Sequence, residues 1–244
     1  VSAWGATETT SGCMATYFET DRPGIGLPLP GTVAKLVPVD ERYEIRIGGP
    51  IVTHGYLGDP EATAAGRDEE GFLRVGDLVS FHDAADPAQG LAFAGRLAEE
   101  FKLGSGTWVS AGALRANLLA ALGPWVGELV VCGEGRDSIG VLAWPHRPSV
   151  ARDFGLAADA PLEGAPAARL RAALAERLAT HNAAHPGAST RVRRLALLAA
   201  PPSAGAHELS DKGTVNRRAV IERRGSEVER LFANPPAPDV VALA

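Results

Sequence analysis

The chain has 244 residues, of which 45% are hydrophobic, and it carries a formal net charge of −5 at pH 7. This length and apolar content suit one large or two ordinary folded domains and exclude general disorder. The acidic balance argues against a nucleic-acid-binding protein, which needs a basic surface for phosphate contacts, but it leaves room for a small anionic ligand in a local basic pocket.

The cysteine count and the hydropathy pattern favour a cytoplasmic protein. Cys13 and Cys132 lie far apart, so the sequence offers neither a disulfide framework nor a set of zinc ligands. The sequence has no apolar run long enough to span a membrane and no signal segment, so we expect no membrane partner. The chain begins on Val1 rather than on a methionine, from which we expect a missing upstream N-terminal segment.

The first part of the chain, up to residue 95, is rich in β-formers. Apolar and polar residues alternate in TVAKLVPV (residues 32–39) and in YEIRIGG (residues 43–49), which predicts two strands joined by a turn at VDER. GFLRVGDLVSF (residues 71–81) predicts two short strands broken at the Gly-Asp pair. These patterns indicate a β-rich region with short connections.

One short helix is predicted within this region, at GDPEATAA (residues 58–65). Asp59 is a suitable N-cap, Pro60 suits the first helical position, and Glu61 places a negative charge in the first turn. The start of this helix is therefore well specified by local sequence.

From Arg96 onward, helical and strand patterns alternate. Leucines recur at helical spacing in GALRANLLAAL and in the long helix that follows later, whereas ELVVCG and SIGVLAWP are apolar runs typical of strands. The predicted strands are 128–133, 138–145 and 191–200, and the predicted helices are 112–122, 165–183 and 216–232. The predicted loops are 146–166, 201–207 and the Pro-rich tail from Asn234.

These elements predict an α+β fold in two parts. Residues 1–95 would form a β-rich, β-barrel-like part, and residues 96–244 a small α+β domain with three strands and three helices. The boundary is predicted between Gly95 and Arg96, where a strand gives way to the polar EEFK segment.

The sequence has no Walker or Rossmann glycine motif. Three other short features in the first half of the chain are candidates for a binding or catalytic site. In WGATE, a glycine-containing turn and Thr7 could hold phosphate oxygens, and Glu8 could ligate a hard cation. In VGD, Asp77 could accept hydrogen bonds from a sugar diol. In GRLAEEFKLGSGTWVS, Arg96, Lys102 and the small-residue segment that follows Lys102 lie at the boundary. The structural alternatives are a turn, a cap and a hinge.

Two further features lie near the C-terminus. Lys212 is a lone lysine in SDKGTVNRRAV, in a turn before the last predicted helix. A basic cluster comprises Arg191, Arg193, Arg194, Arg217, Arg218, Arg223 and Arg224. The structural alternatives are a surface lysine that neutralises Asp211 and a solvated helix face.

The order of these motifs is more specific than any one of them. WGATE, GPIVTHGYLGDPEATA, GFLRVGDL, GRLAEEFKLGSGTWVS and DKGTVNRRAV follow one another along almost the whole chain. This series resembles the adenylate-forming superfamily of acyl-CoA synthetases, adenylation domains and luciferases, and most of all feruloyl-CoA synthetase and related aromatic acyl-CoA ligases. The resemblance implies the C-terminal portion of such an enzyme, with residues 96–244 as its small mobile C-terminal domain.

The resemblance implies roles for the opening motif. Trp4, with Gly5 beside it, would lie against the adenine of ATP or AMP. Thr7 would bind the phosphate, and Glu8 would hold Mg²⁺. A motif so poor in bases suits a reaction in which a carboxylate attacks the α-phosphate, because the site then has to neutralise charge and hold geometry.

Three more residues receive roles from the same resemblance. Asp77 would bind the ribose hydroxyls, and Arg96 would reach the ribose or the phosphate from the boundary. Lys212 would stabilise charge during adenylation. Together with Thr7 and Glu8, Lys212 is thus implied to be catalytic.

The segment after the boundary is implied to bind CoA. Lys102, Gly104, Gly106 and Trp108 would line the pantetheine path in the thioester-forming orientation. Rotation of the C-terminal domain near Arg96 would switch the enzyme between its two half-reactions.

The implied reaction joins a carboxylate to CoA through an acyl-adenylate. The family's phosphate loop lies upstream of the WGATE motif, so we expect this chain alone to be inactive. Two alternatives stay open: an adenylation domain that loads a carrier protein, and a non-catalytic interaction module.

The predicted hinge can be tested by limited proteolysis. Exposed linkers between domains are cut first, so we expect the earliest cleavage between about Ala94 and Gly106. Mass spectrometry of the first fragments locates the cut. Protection of this span while other segments are cleaved would argue against a hinge at Gly95 and Arg96.

Overall fold

The computed structural model describes residues 2–22, 24–156, 161, 163–210 and 213–243. The chain divides into two compact units, Val1–Ala98 and Glu99–Ala244, which we call unit 1 and unit 2. No described helix has the length and apolar character needed to cross a membrane.

Unit 1 is built mainly from two antiparallel sheets. The strands of the first sheet are β1 (Ala3–Trp4), β2 (Met14–Ala15) and β3 (Leu27–Pro28), in that order. The strands of the second sheet are β4 (Val33–Val39), β5 (Arg42–Gly48), β6 (Leu73–Phe81) and β7 (Leu91–Arg96), also in that order. The short helix α1 spans Pro60–Ala65, and 3₁₀ turns span Thr7–Thr9 and Pro87–Gln89.

The predicted β4–β5 hairpin and the start of α1 are confirmed. Asp40 occupies the tight turn with a positive φ of 51°, and Ile45 and Ile47 are buried, as the alternation requires. At α1, the side chain of Asp59 accepts a hydrogen bond from the backbone N–H of Ala62 at 2.8 Å, which satisfies a donor at the helix start.

The prediction of two short strands in residues 71–81 is wrong, because β6 runs without a break from Leu73 to Phe81. The register between β5 and β6 shifts, so that Glu44 faces Leu78 whereas Arg46 faces Arg74. Gly76, with a φ of 73°, absorbs the extra residues as a bulge. The glycine therefore bends the strand instead of ending it.

Unit 2 combines six described strands with five helices. Its strands are β8 (Glu100–Lys102), β9 (Trp108–Ser110), β10 (Val126–Cys132), β11 (Ile139–Pro145), β12 (Val192–Leu197) and β13 (Val240–Ala242). Its helices are α2 (Ala111–Leu122), α3 (Arg147–Phe154), α4 (Gly164–Ala184), α5 (Arg217–Arg223) and α6 (Gly225–Phe232). The 3₁₀ turns are Leu97–Glu99, at the boundary, and Ala204–Ala206.

The main sheet of unit 2 has the order β10-β11-β12-β13, with a parallel pair at β11 and β12 and antiparallel pairs elsewhere. Alternate strand residues face opposite sides, so two apolar clusters form. Leucines of α2 and α4 pack on one face, and residues of α5 and α6 pack on the other. The predicted α+β fold class is confirmed, although unit 2 has more strands and helices than predicted.

Two predicted loops contain regular structure. Helix α3 lies inside the predicted loop 146–166, where Val150 is buried and Trp125 packs edge-on against Phe154. Strand β13 lies in the predicted Pro-rich tail and pairs with β12. Both elements are short and depend on burial against the main sheet, which local sequence does not reveal.

The predicted final helix is wrong in one respect, because it divides into α5 and α6 at Arg224. The guanidinium of Arg224 donates to the buried Glu208 carboxylate at 2.7 and 2.9 Å and to the carbonyl oxygens of Ala200 and Pro201. Its backbone has a ψ of 36°, outside the helical range. The break coincides with the residue that makes these bonds.

The burial of His181 in α4 leads us to expect that the stability of the protein depends on pH. It is buried beside the carbonyl oxygen of Thr190 and the ring of His185, and burial lowers the pKa of its imidazole. The unfolded chain therefore binds a proton at higher pH than the folded chain, so the free energy of unfolding should fall as the pH drops below about 6.5.

Urea denaturation at several pH values measures this effect. His181→Gln should flatten the dependence, whereas His54→Gln, at an exposed position in unit 1, should leave it unchanged. An equal pH dependence in the wild type and His181→Gln would show that another group titrates.

Candidate functional site

A buried carboxylate in unit 1 brings together three of the predicted residues. Asp77 lies in β6 and is only 8% exposed. Its Oδ2 accepts a hydrogen bond from the indole Nε1 of Trp4 at 3.1 Å, and its Oδ1 lies 3.4 Å from Nε of Arg96. Arg96 is also the residue that faces Asp77 across the β6–β7 pair. The pairing of β6 with β7 therefore places Arg96 beside Asp77, and a hydrogen bond between residues distant in sequence holds Trp4 there.

The electrostatics of Asp77 reflect its burial. Removal from water raises the pKa of its carboxyl, while the positive charge of Arg96 and the hydrogen bond from Trp4 oppose that rise. The Arg96 side chain is 64% exposed, so this ion pair is weakly held. The guanidinium is thus accessible to a second anion or to a hydroxyl group.

The opening motif forms a compact turn. Thr9 is fully buried, and its Oγ1 accepts from the backbone N–H of Ala6 at 2.8 Å and donates to the carbonyl of Ala6 at 3.1 Å. Thr10 and Ser11 have positive φ angles of 51° and 71°, and the chain returns to antiparallel pairing at β2. Thr7 is exposed on this turn, so its hydroxyl is available to a ligand.

Gly5 permits the close approach of the two arms of this turn. A Cβ added at Gly5 would lie 2.8 Å from the backbone nitrogen of Gly12 and 2.8 Å from the carbonyl carbon of Ser11. A side chain therefore cannot fit without moving the backbone. At Gly12, by contrast, an added Cβ would meet no atom within 4 Å.

Glu8 is held by residues that the sequence reasoning did not single out. Its carbonyl oxygen accepts from the backbone N–H of Thr53 at 2.8 Å, and its Oε1 accepts from the hydroxyl of Tyr56 at 2.7 Å. Both partners lie in the quoted motif GPIVTHGYLGDPEATA, whose position in the motif order was the only sequence signal for them.

The chemistry of Glu8 fits the predicted Mg²⁺ ligand. A carboxylate oxygen is a hard ligand, and Mg²⁺ commonly takes one or two carboxylates together with substrate phosphates. Glu8 makes no ion pair within the described part of the chain. That part also holds no cluster of three or more His, Cys, Asp or Glu side chains suited to a metal, so Glu8 would be a single protein ligand.

The four predicted CoA-binding residues lie in the β8–β9 hairpin of unit 2. The Lys102 ammonium sits 4.6 Å from the centre of the Trp108 ring, a cation–π distance. The backbone N–H of Gly104 donates to the carbonyl of Arg136 at 2.8 Å, and Gly106 has a φ of 83°. The hairpin is thus tied to the β10–β11 connection of the same unit.

Lys212 lies outside the described residues, as does Asp211. The residues on either side of them are close together. The Ser210 N–H donates to the carbonyl of Thr214 at 2.8 Å, and the two hydroxyl oxygens lie 2.6 Å apart. The role predicted for Lys212 therefore stays a prediction.

Comparison with known proteins gives the family of the chain. The profile described as AMP-binding enzyme C-terminal domain matches residues 103–235, more than half of the chain. The Mycobacterium tuberculosis protein fadD11, whose name describes a fatty-acid–CoA ligase, is 28% identical over 97% of this chain and 40% of its own length. Human long-chain-fatty-acid–CoA ligase 6 is 36% identical over 44% of this chain and 16% of its own length.

A solved structure shares the fold. The A domain of carboxylic acid reductase from Segniliparus rugosus, determined with AMP and a co-purified carboxylic acid, has a TM-score of 0.67 at 24% identity. The match covers 86% of this chain and 33% of that one. This chain thus spans about two fifths or less of the length of these proteins. From the profile match, the chain belongs to the AMP-binding, adenylate-forming enzyme family and carries that family's C-terminal domain.

Proposed function

We propose that this chain is part of an ATP-dependent acid–CoA ligase, which forms an acyl-adenylate and then transfers the acyl group to CoA. One observation carries the proposal for unit 1: the buried Asp77 carboxylate is contacted by both Trp4 and Arg96. An aromatic ring, a carboxylate and a guanidinium within one small region are suited to the base, the ribose and the phosphate of a nucleotide.

In this proposal, the residues of unit 1 bind and orient the nucleotide. Asp77 accepts hydrogen bonds from the ribose hydroxyls, Trp4 offers its indole face to adenine, and Arg96 contacts the ribose or phosphate. The Thr7 hydroxyl donates a hydrogen bond to the phosphate. Glu8 holds Mg²⁺, which neutralises phosphate charge when it is bound. None of these residues has to remove a proton, because the attacking carboxylate is already ionised.

In unit 2, the proposal assigns two roles. Lys102, Gly104, Gly106 and Trp108 line the path of the pantetheine arm of CoA, and Lys212 stabilises the charge that develops during adenylation. Both assignments follow from the family resemblance of the sequence. The exposed Lys102 ammonium over Trp108 is compatible with an anionic ligand at this hairpin.

For the substrate, we propose an aromatic carboxylate such as a hydroxycinnamate. This choice rests on the likeness of the quoted motifs to aromatic acyl-CoA ligases. ATP–pyrophosphate exchange by a complete ligase that includes this chain, measured with ferulate and with a long-chain fatty acid, tests it. Faster exchange with the fatty acid would overturn the proposal of an aromatic substrate, but it would support the proposal that the complete protein is an acid–CoA ligase.

The nucleotide site in unit 1 predicts a difference between two glycines of the same turn. Gly5→Ala forces a Cβ against the backbone of Gly12, so we expect a destabilisation of about 1–3 kcal/mol and weaker AMP binding. Gly12→Ala is the matched control, since its Cβ meets nothing. Chemical denaturation and AMP titration measure both effects. Equal AMP affinity in the two variants would remove the turn from the nucleotide site.

The role proposed for Lys212 predicts an effect on one half-reaction only. In a complete ligase, Lys212→Ala should slow adenylation by roughly 100- to 1,000-fold, the usual cost of one charge-stabilising donor. Thioester formation from supplied acyl-adenylate should change little. Lys212→Arg should rescue poorly, because a forked guanidinium does not replace a compact ammonium. Equal losses in both half-reactions, or no loss in either, would overturn the role proposed for Lys212 in adenylation.

A further inference from the structure

The hydroxyl of Tyr56 donates a hydrogen bond to Glu8 Oε1, across 48 residues of sequence. We propose that Tyr56 is a positioning residue that orients the Glu8 carboxylate toward the divalent cation bound with the nucleotide. This inference rests on the proposed function of Glu8 as the Mg²⁺ ligand. Tyr56 itself would touch neither the cation nor the substrate.

The contacts of Glu8 leave part of its carboxylate available. Tyr56 bonds to Oε1 at 2.7 Å, and no described residue pairs with Oε2. The backbone of Glu8 is fixed independently by the Thr53 N–H at 2.8 Å. With the main chain and one oxygen both held, the direction of the second oxygen is set before a cation arrives, which is how outer-shell partners support metal ligands.

The chemical type of the partner is informative. A lysine or arginine at position 56 would neutralise the carboxylate and compete with a cation, whereas a phenol donates a hydrogen bond without adding charge. The Tyr56 hydroxyl can therefore hold Oε1 without competing with a cation for the carboxylate.

Tyr56 is held in place even though the residue is 44% exposed. Its backbone N–H donates to the hydroxyl of Thr63 at 2.9 Å, and that hydroxyl donates to the carbonyl of Asp59 at 2.8 Å. Thr63 lies in α1, so the helix supports the tyrosine. The close approach of Thr63 also requires glycine at position 55, because a Cβ there would lie 2.5 Å from the Thr63 side chain.

The backbone near Tyr56 is also held by side-chain hydrogen bonds. The guanidinium of Arg67 donates to the carbonyl oxygen of Thr53 and, at 2.9 Å, to that of Gly71. Thr53 is the residue whose N–H holds the Glu8 carbonyl. The segment from Thr53 to Arg67 thus supports Glu8 through its backbone and through the phenol.

The first measurement tests the hydrogen bond in this chain without any assay of activity. The three tyrosines can be labelled with ¹³C at Cζ and observed by NMR at neutral pH. Tyr56→Phe identifies the Tyr56 signal, and Glu8→Ala, which removes the acceptor, should move that signal from its wild-type position. An unchanged Tyr56 signal in Glu8→Ala would show that the bond is absent and would overturn the proposal.

The second measurement tests positioning in a complete ligase that includes this chain. Tyr56→Phe should raise the Mg²⁺ concentration for half-maximal adenylation by roughly tenfold, the lower end of outer-shell effects. The rate at saturating Mg²⁺ should change less than about twofold, since the lost affinity is recovered by mass action. Tyr17→Phe is the matched control, because Tyr17 is exposed and contacts Phe18 rather than Glu8.

The outcomes separate this inference from the proposed function. If Glu8→Gln shifts the Mg²⁺ dependence but Tyr56→Phe does not, Tyr56 has no positioning role and Glu8 remains the cation ligand. If neither variant shifts it, both assignments are wrong. A loss of maximal rate in Tyr56→Phe at every Mg²⁺ concentration would indicate a general structural defect and would also overturn the proposal.

Discussion

Asp77 carries an almost fully buried carboxylate within a β-strand, and the arrangement of Trp4 and Arg96 around it follows from how that carboxylate is hydrogen-bonded and paired. A buried carboxylate needs hydrogen-bond donors or a positive charge nearby. The indole of Trp4 supplies one donor, and Arg96 on the adjacent strand supplies the charge. The same bond fixes the orientation of the Trp4 ring, so the group that satisfies the carboxylate also becomes the aromatic surface proposed for adenine.

The support of Glu8 follows a different principle. Its partners are a backbone N–H and a neutral hydroxyl, from Thr53 and Tyr56, and no cation pairs with it in the described part of unit 1. Asp68, elsewhere in unit 1, bonds to both Lys35 and Arg46. Positive side chains thus neutralise a structural carboxylate and are absent from the one proposed to bind Mg²⁺.

In unit 2, the sheet is covered by helices on both faces, and a buried ion pair organises the end of the chain. Glu208 is bound by Arg224 at the break between α5 and α6, and its carbonyl accepts from the N–H of Asn216 at the start of α5. These two contacts join Glu208 to the start of α5 and to the break that follows α5. Arg224 makes this ion pair at a residue whose backbone is not helical. An amphipathic pattern does not reveal such a tertiary contact, and it therefore predicts one helix where the structure has two.

Local sequence determined the elements whose evidence lies within a few residues. The β4–β5 hairpin follows from alternation, α1 from its Asp-Pro start, and α2 and α4 from leucine spacing, and the ordered motifs indicated the family. Tertiary structure decided the rest. The bulge in β6, helix α3 and strand β13 depend on pairing and burial against distant strands. The Trp4–Asp77 and Glu8–Tyr56 bonds join residues 73 and 48 positions apart, and only the folded chain determines which donors reach a carboxylate across such separations.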